Sequence, residues 1–133
     1  MNKLDFLEKE LEMDFESAVK HVENTVIRGN FNVMLVKSID EIIETKIGLI
    51  NYPKYSIILA CAPELAKSAL DVSKLNGLLF PCSFVVYEER GKIMVGHISI
   101  MKISTMIGLT EPGEMSEVIE NTRDAIDLIW EKI

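Results

Sequence analysis

The feature that most constrains the fold is a pair of strand-like segments separated by two turn residues. Residues 82–87 and 92–100 are rich in β-favouring side chains, and Arg90-Gly91 lies between them. A connection this short can join only antiparallel strands. Centring the turn on these two residues places His97 opposite Phe84 and diagonal to Cys82. The chain therefore contains at least one antiparallel hairpin.

Helical spacing of apolar residues predicts two long helices. The first covers residues 15–26, behind a possible cap at Asp14, and we expect Gly29 to end it in a left-handed conformation. The second closes the chain over residues 115–133 and has an acidic outer face. Shorter helices are predicted after Asp40 and from Pro63, which suits a first helical position.

Two further strands are predicted, over residues 31–36 and 55–61. The second is apolar almost throughout, as expected for a central strand covered on both faces. Residues 10–13 alternate charged and apolar side chains, which fits either a short edge strand or an extension of the first helix. Helices interspersed with a few strands, two of them in a hairpin, indicate the α+β class, with four or five strands and helices packed on one face.

Length and composition predict one packed domain over residues 1–133. Hydrophobic residues make up 48% of the chain and charged residues 26%, which is ordinary globular usage. No apolar run approaches a membrane span, and acids interrupt the first eight residues, so we expect a cytoplasmic protein without a membrane partner. In that compartment Cys61 and Cys82 are expected to be free thiols, although a transient disulfide stays open.

Charge argues against nucleic-acid binding. The net charge is -7, and acids exceed bases at both ends of the chain. The middle of the chain is slightly basic, but its lysines and arginines are scattered and form no stripe that could follow a phosphate backbone.

Two separated blocks of sequence resemble one known family. The segments 61–70 (Cys-Ala-Pro-Glu-Leu-Ala-Lys-Ser-Ala-Leu) and 78–89 (Leu-Leu-Phe-Pro-Cys-Ser-Phe-Val-Val-Tyr-Glu-Glu) resemble the family numbered 302 among domains of unknown function, over about residues 10–132. That family shows a Cys-Asn-Pro helix start followed by a Leu-Pro-Cys-Asn strand. The matching positions are Cys61, Pro63, Ala66, Pro81, Cys82, Tyr87 and Glu88. Ala62 and Ser83 replace the two asparagines, and the usual Asp-Pro is missing near residues 102–104.

The resemblance implies a β-α-β(4)-α order over a mainly antiparallel sheet, similar to the TATA-binding-protein fold, and a tendency to form homodimers. It implies no established activity, cofactor or substrate.

The two cysteines form the most unusual chemical feature. In an antiparallel sheet the end of the 55–61 strand lies beside the start of the 82–87 strand, so both sulfurs are expected at one rim, next to the helix beginning at Pro63. We therefore predict a ligand-binding rim formed by Cys61, Pro63, Pro81 and Cys82, where a disulfide or a thiolate pair could form. A metal ion could be held by Cys61, Cys82 and His97. The alternatives are that the cysteines are buried small hydrophobes and that His97 is a core or interface residue.

Three functions follow from these residues. The first is a homo-oligomeric, non-enzymatic module that binds a small ligand or senses thiols or metal at the Cys61/Cys82 rim. The second is an enzyme with Cys61 as a redox centre or nucleophile, although the sequence contains no established catalytic motif. The third is a structural or interaction domain that dimerises through an exposed sheet face, with the apolar residues of 93–107 as its interface.

Overall fold

The computed structural model describes residues 6–133, which contain five strands and five α-helices. The elements are β1 (Phe6–Leu11), α1 (Phe15–Arg28), β2 (Asn32–Ser38), α2 (Ile39–Ile47), β3 (Tyr55–Cys61), α3 (Pro63–Val72), β4 (Cys82–Glu89), β5 (Lys92–Ile98), α4 (Ile100–Met106) and α5 (Ser116–Lys132). A 3-10 helix, Lys74–Leu79, joins α3 to β4.

All five strands form one sheet, in the order β1-β5-β4-β3-β2. Every neighbouring pair is antiparallel. Leaving out the short helices, the chain order is β-α-β(4)-α, so the predicted α+β class and antiparallel sheet are confirmed. The ambiguous segment 10–13 contains the end of the edge strand β1 and does not extend α1.

The hairpin has the predicted register, because Phe84 pairs with His97 and Glu89 with Lys92. Arg90 and Gly91 have φ angles of 52° and 77°, and a two-residue turn with both φ angles positive fits the right-handed twist of the strands. The second strand is shorter than predicted: β5 stops at Ile98, and α4 begins at Ile100.

The two faces of the sheet are covered differently. Alternation along β3 and β4 buries one set of residues beneath the helices, namely Ser56, Ile58, Ala60, Cys82, Phe84 and Val86. The intervening residues, from Tyr55 to Cys61 and from Ser83 to Tyr87, are only half-buried. Helices on one face are therefore confirmed, but the prediction that β3 is covered on both faces is wrong.

Helix α1 packs on the covered face through Ala18, Val22 and Val26, each 0% exposed. Asp14 caps the helix as predicted, since its Oδ1 accepts from the Ser17 backbone N–H at 2.8 Å. The prediction for Gly29 is wrong, because its φ is -82° and the left-handed residue is Asn30, at 67°. A Cβ at residue 29 would collide with the side chain of Ile129, so glycine allows α5 to approach α1 closely.

The segment 93–107 does not form one exposed interface. Ile100 and Met101 are buried in the core, at 8% and 4% exposure, whereas Met106 and Ile107 lie at the surface. The physical reason is α4, which turns the chain after β5 so that its first residues point beneath the helices.

A buried polar cluster links three connecting segments. Asn76 is 1% exposed, and its Nδ2 donates to the carbonyl oxygen of Ala69 at 2.7 Å. Its Oδ1 accepts from the Ser104 hydroxyl, which lies 2.9 Å from the Thr110 hydroxyl. The Thr105 hydroxyl lies 3.1 Å from Thr110 in turn. Asn76 and Gly77 therefore belong to an ordered attachment between α3 and α4.

Candidate functional site

The predicted rim exists at the level of the backbone. β3 ends at Cys61, α3 begins at Pro63, and Ala60 pairs with Cys82 at the start of β4. The Phe80–Pro81 peptide bond is cis. Antiparallel pairing thus brings the residue 61–70 block and the residue 78–89 block of the sequence together at one end of the sheet, as expected.

The two thiols do not form the predicted pair. Cys82 lies opposite Ala60 rather than opposite Cys61, so alternation directs the two side chains to different faces of the sheet. Cys82 is 7% exposed beneath the helices, while Cys61 is half-buried, and both are free. Cys61 and Cys82 are therefore neighbours in the backbone, but because Cys82 pairs with residue 60 rather than 61, their sulfur atoms lie on different faces.

Burial suppresses the reactivity of one thiol. Removal from water, together with the nearby Cys61, raises the pKa of Cys82 from 9.0 to about 11. A thiol with that pKa is almost wholly protonated near neutral pH, and the thiolate is the reactive form. Cys82 is accordingly a core residue in this structure, and Cys61 is the thiol available to reagents.

His97 is also a core residue. Its ring stacks on Phe84 with centroids 4.3 Å apart, and its Nδ1 lies 2.8 Å from the carbonyl oxygen of Ser83. Since a carbonyl can only accept, Nδ1 carries the proton of the neutral ring. Burial lowers the pKa of His97, which favours this neutral form.

Within residues 6–133, no three His, Cys, Asp or Glu side chains are grouped in a position to hold a metal ion. Cys61, Cys82 and His97 are therefore not brought together as the predicted ligand set. The ligand set is not formed because the side chains of Cys61 and Cys82 point to opposite faces of the sheet. Only Cys82 lies on the covered face with His97.

A small cavity lies beside the rim, and one of its residues was not predicted. Both cysteines line it together with Pro81, Ala62 and Thr122 of α5. The Thr122 hydroxyl is buried and has no hydrogen-bond partner among the described residues. The cavity volume of about 10 Å³ is near the lower limit for one water molecule. A threonine within the apolar stripe of a helix was the available sequence signal.

The larger candidate surface is the uncovered side of the sheet, here called the open face. It is defined by apolar side chains from all five strands that alternate with the buried set. They are Phe6, Leu35, Tyr55, Ile57, Leu59, Val85, Tyr87, Met94 and Ile98. Phe6 is 63% exposed and Leu35 48%, while the inner members are half-buried.

A groove crosses the open face at Gly96. It has a volume of about 230 Å³ and lies between Phe6 and Ile98 on one side and Tyr87 on the other. The Tyr87 hydroxyl donates to Oε2 of Glu8 at 2.6 Å, and this hydrogen bond is the main cause that raises the Tyr87 pKa to about 12. Gly96 lies at the floor of this groove, where Cγ2 of Val85 comes within 3.3 Å of the place that a Cβ would occupy.

A second apolar patch lies in the loop between α2 and β3. Its exposed members are Ile47, Leu49, Ile50 and Tyr52. Unlike the open face, this patch comes from one short segment, and its Tyr52 lines a depression of about 640 Å³ next to the Arg90-Gly91 turn.

Comparison with known proteins decides the family. The model of the domain of unknown function DUF302 matches residues 7–133. The chain belongs to the DUF302 family. A crystal structure of an uncharacterised conserved DUF302 protein from Bacillus stearothermophilus is similar, with a TM-score of 0.83 and 20% identity, covering 96% of each chain. None of the curated proteins compared is a match.

DUF302 membership confirms the resemblance seen in the two sequence blocks, and the structural similarity confirms the fold. The family description assigns no function. Across residues 6–133, no helix combines the length and hydrophobicity needed to cross a membrane.

Proposed function

We propose that this DUF302 protein is a non-catalytic binding module that works as a homodimer, with the open face as its subunit interface. The proposal rests on the polarity of the open face, which is more apolar than the solvated face of an ordinary antiparallel sheet. An antiparallel sheet with one solvated face normally alternates apolar and polar side chains. Here most alternate positions of β3 and β4 are apolar on the uncovered side as well, among them Ile57, Leu59 and Val85, and Ser83 is the polar exception among those near the centre.

The size of the open face suits a modest dimer. Five strands about 4.8 Å apart and six residues long span about 24 by 20 Å, or about 500 Å² of sheet per copy. Two copies would bury about 1,000 Å², which is the lower end for a specific interface.

The test is subunit mass by light scattering over a concentration series. Val85→Asp would place two carboxylates at the centre of the interface and should give a monomer, as should Leu35→Asp at the more exposed edge. Leu128→Asp is the matched control, since Leu128 is 62% exposed on α5 in the helix layer. Ile50→Asp examines the loop patch. A wild-type monomer at every concentration, or a dimer broken only by Ile50→Asp, would refute the proposal.

A second candidate function is binding of one polar molecule no larger than water in the rim cavity, and the Thr122 hydroxyl favours it. A buried hydroxyl without a partner costs about 1–3 kcal/mol. If a molecule occupies the cavity, Thr122→Val should lower the free energy of unfolding by a similar amount. If the cavity is empty, this isosteric change should leave stability unchanged or raise it. Cys61→Ser, at the half-buried wall of the same cavity, is the companion variant.

The remaining predictions accompany these proposals. Two free thiols are compatible with the cytoplasmic location expected from the sequence. The enzyme alternative depends on Cys61 alone, because the raised pKa of Cys82 disfavours its thiolate. Nucleic acid is not proposed as a partner, given the net charge of -7.

A further inference from the structure

Strand pairing arranges the open face in rows that cross the whole sheet. Glu8 pairs with Gly96, Gly96 with Val85, Val85 with Ile57, and Ile57 with Lys37. This row has an acid at the β1 edge, a base at the β2 edge, and Val85 on the central strand β4. Both charged ends are exposed. The row therefore has opposite charges at equal distances from its centre.

A two-fold axis can relate two stacked sheets in two simple ways. An axis perpendicular to the strands and passing along this row stacks each edge strand on its own copy and sets Glu8 against Glu8. An axis parallel to the strands, passing along β4, stacks β1 on β2 of the second copy and sets Glu8 against Lys37. Opposed like charges are unfavourable and opposite charges favourable, so charge selects the parallel axis.

The same axis also matches large side chains with small ones. It sets Ile57 of one copy against Gly96 of the other, where the groove of about 230 Å³ lies. In the next row Phe6 pairs with Ile98, and Leu59 with Leu35. The axis therefore sets the apolar Phe6 against Leu35 and the apolar Ile98 against Leu59, while Ser83 at the centre of the row meets its own copy.

We propose that a second copy of this chain packs on the open face about a two-fold axis parallel to the strands, with Ile57 of each copy seated in the Gly96 groove of the other. Stacked sheets are about 10 Å apart. The product is a ten-stranded sandwich with helices on both outer surfaces. This inference rests on the proposed homodimer and adds its geometry and its contact residues.

A zero-length carbodiimide cross-link tests the geometry directly. Glu8 and Lys37 lie at opposite edges of one sheet, four strand spacings or about 19 Å apart, so they cannot be joined within a chain. A peptide linking residues 8 and 37, found by mass spectrometry in the dimer band, would support the arrangement. The Lys67–Asp71 pair, 2.7 Å apart within α3, is the internal control for the reagent.

Charge reversal gives an independent measurement. Glu8→Lys alone and Lys37→Glu alone should each raise the dimer dissociation constant about 10-fold, because each change opposes like charges twice in the symmetric dimer. The double variant should return to within about 3-fold of wild type. Glu117→Lys, an exposed acid in the first turn of α5, is the control for net charge and should have little effect.

The homodimer and the parallel two-fold axis can fail separately in these experiments. If the wild-type chain is monomeric, both fail. If it dimerises and Val85→Asp breaks the dimer, but no 8–37 link forms and the double variant shows no rescue, the homodimer stands and the parallel axis is wrong.

Discussion

The covered and open faces of the sheet are built from similar apolar residues but have different packing. Beneath the helices, Phe84, Ile58 and Val86 are 0% exposed. On the other side, Ile57, Val85 and Leu59 are only half-buried by their neighbours in the sheet. Apolar composition therefore does not tell which face is the core of the monomer. What distinguishes the faces is whether the same chain supplies helices to cover them.

The largest expected effect separates two adjacent isoleucines. Ile58→Ala on the covered face should lower the free energy of unfolding by about 2–5 kcal/mol, as for other buried large-to-small changes. Ile57→Ala should cost the monomer about 1 kcal/mol, because its side chain is only half-buried, but should weaken the dimer. Urea unfolding below the dissociation constant measures the first quantity, and light scattering the second. Equal losses of monomer stability would remove the distinction between the faces.

The next effect concerns Cys82 at alkaline pH. Its pKa is raised to about 11 when folded, against 9.0 normally, so the unfolded chain loses this proton first. Stability from this group is complete below pH 9 and is lost as pH rises towards 11, by about 2–3 kcal/mol. Cys82→Ala should remove this loss from the plot of unfolding free energy against pH. Tyrosines and lysines titrate in the same range, but their contribution is the same in both proteins and cancels in the difference. Parallel curves would mean that Cys82 is not sealed beneath the helices.

The smallest expected effect is a difference in labelling rate between the two thiols, measured in variants that each retain one cysteine. At pH 8, the variant retaining only Cys61 should react at least about 10-fold faster than the variant retaining only Cys82, which is both covered and mostly protonated. The pH dependence of Cys61 labelling then tests the enzyme alternative. A reaction that persists well below the ordinary thiol pKa would support an activated cysteine, and an ordinary profile would remove it.

The hairpin and the first and last helices could be predicted because their determinants are local. A two-residue turn sets the register of Phe84 and His97, and Asp14 lies at the helix it caps. Gly29 could not be interpreted correctly, since the residue that requires glycine there is Ile129, a hundred positions away in the chain. The helix α4 was missed because residues 99 onward continue the apolar pattern of β5.

The candidate site was predicted in its backbone but not in its side chains. Antiparallel pairing was sufficient to place Cys61 near Cys82, but the face of each sulfur depends on whether residue 60 or 61 lies opposite residue 82. Only the folded register fixes that choice. Thr122 could not be connected with the rim, because it approaches the cysteines from α5 and no local pattern records that contact.

The buried cluster around Asn76 also fixes the direction of its hydrogen bonds. Ser104 uses its single proton on the Asn76 amide oxygen, so Thr110 must donate to Ser104, and Thr105 must donate to Thr110. The hydroxyl hydrogens of Thr105, Thr110 and Ser104 therefore each have one orientation, which is set by the amide oxygen of Asn76 that accepts the last hydrogen bond. The 3-10 helix, α4 and the loop after it are consequently expected to open together in hydrogen exchange, as one cooperative unit.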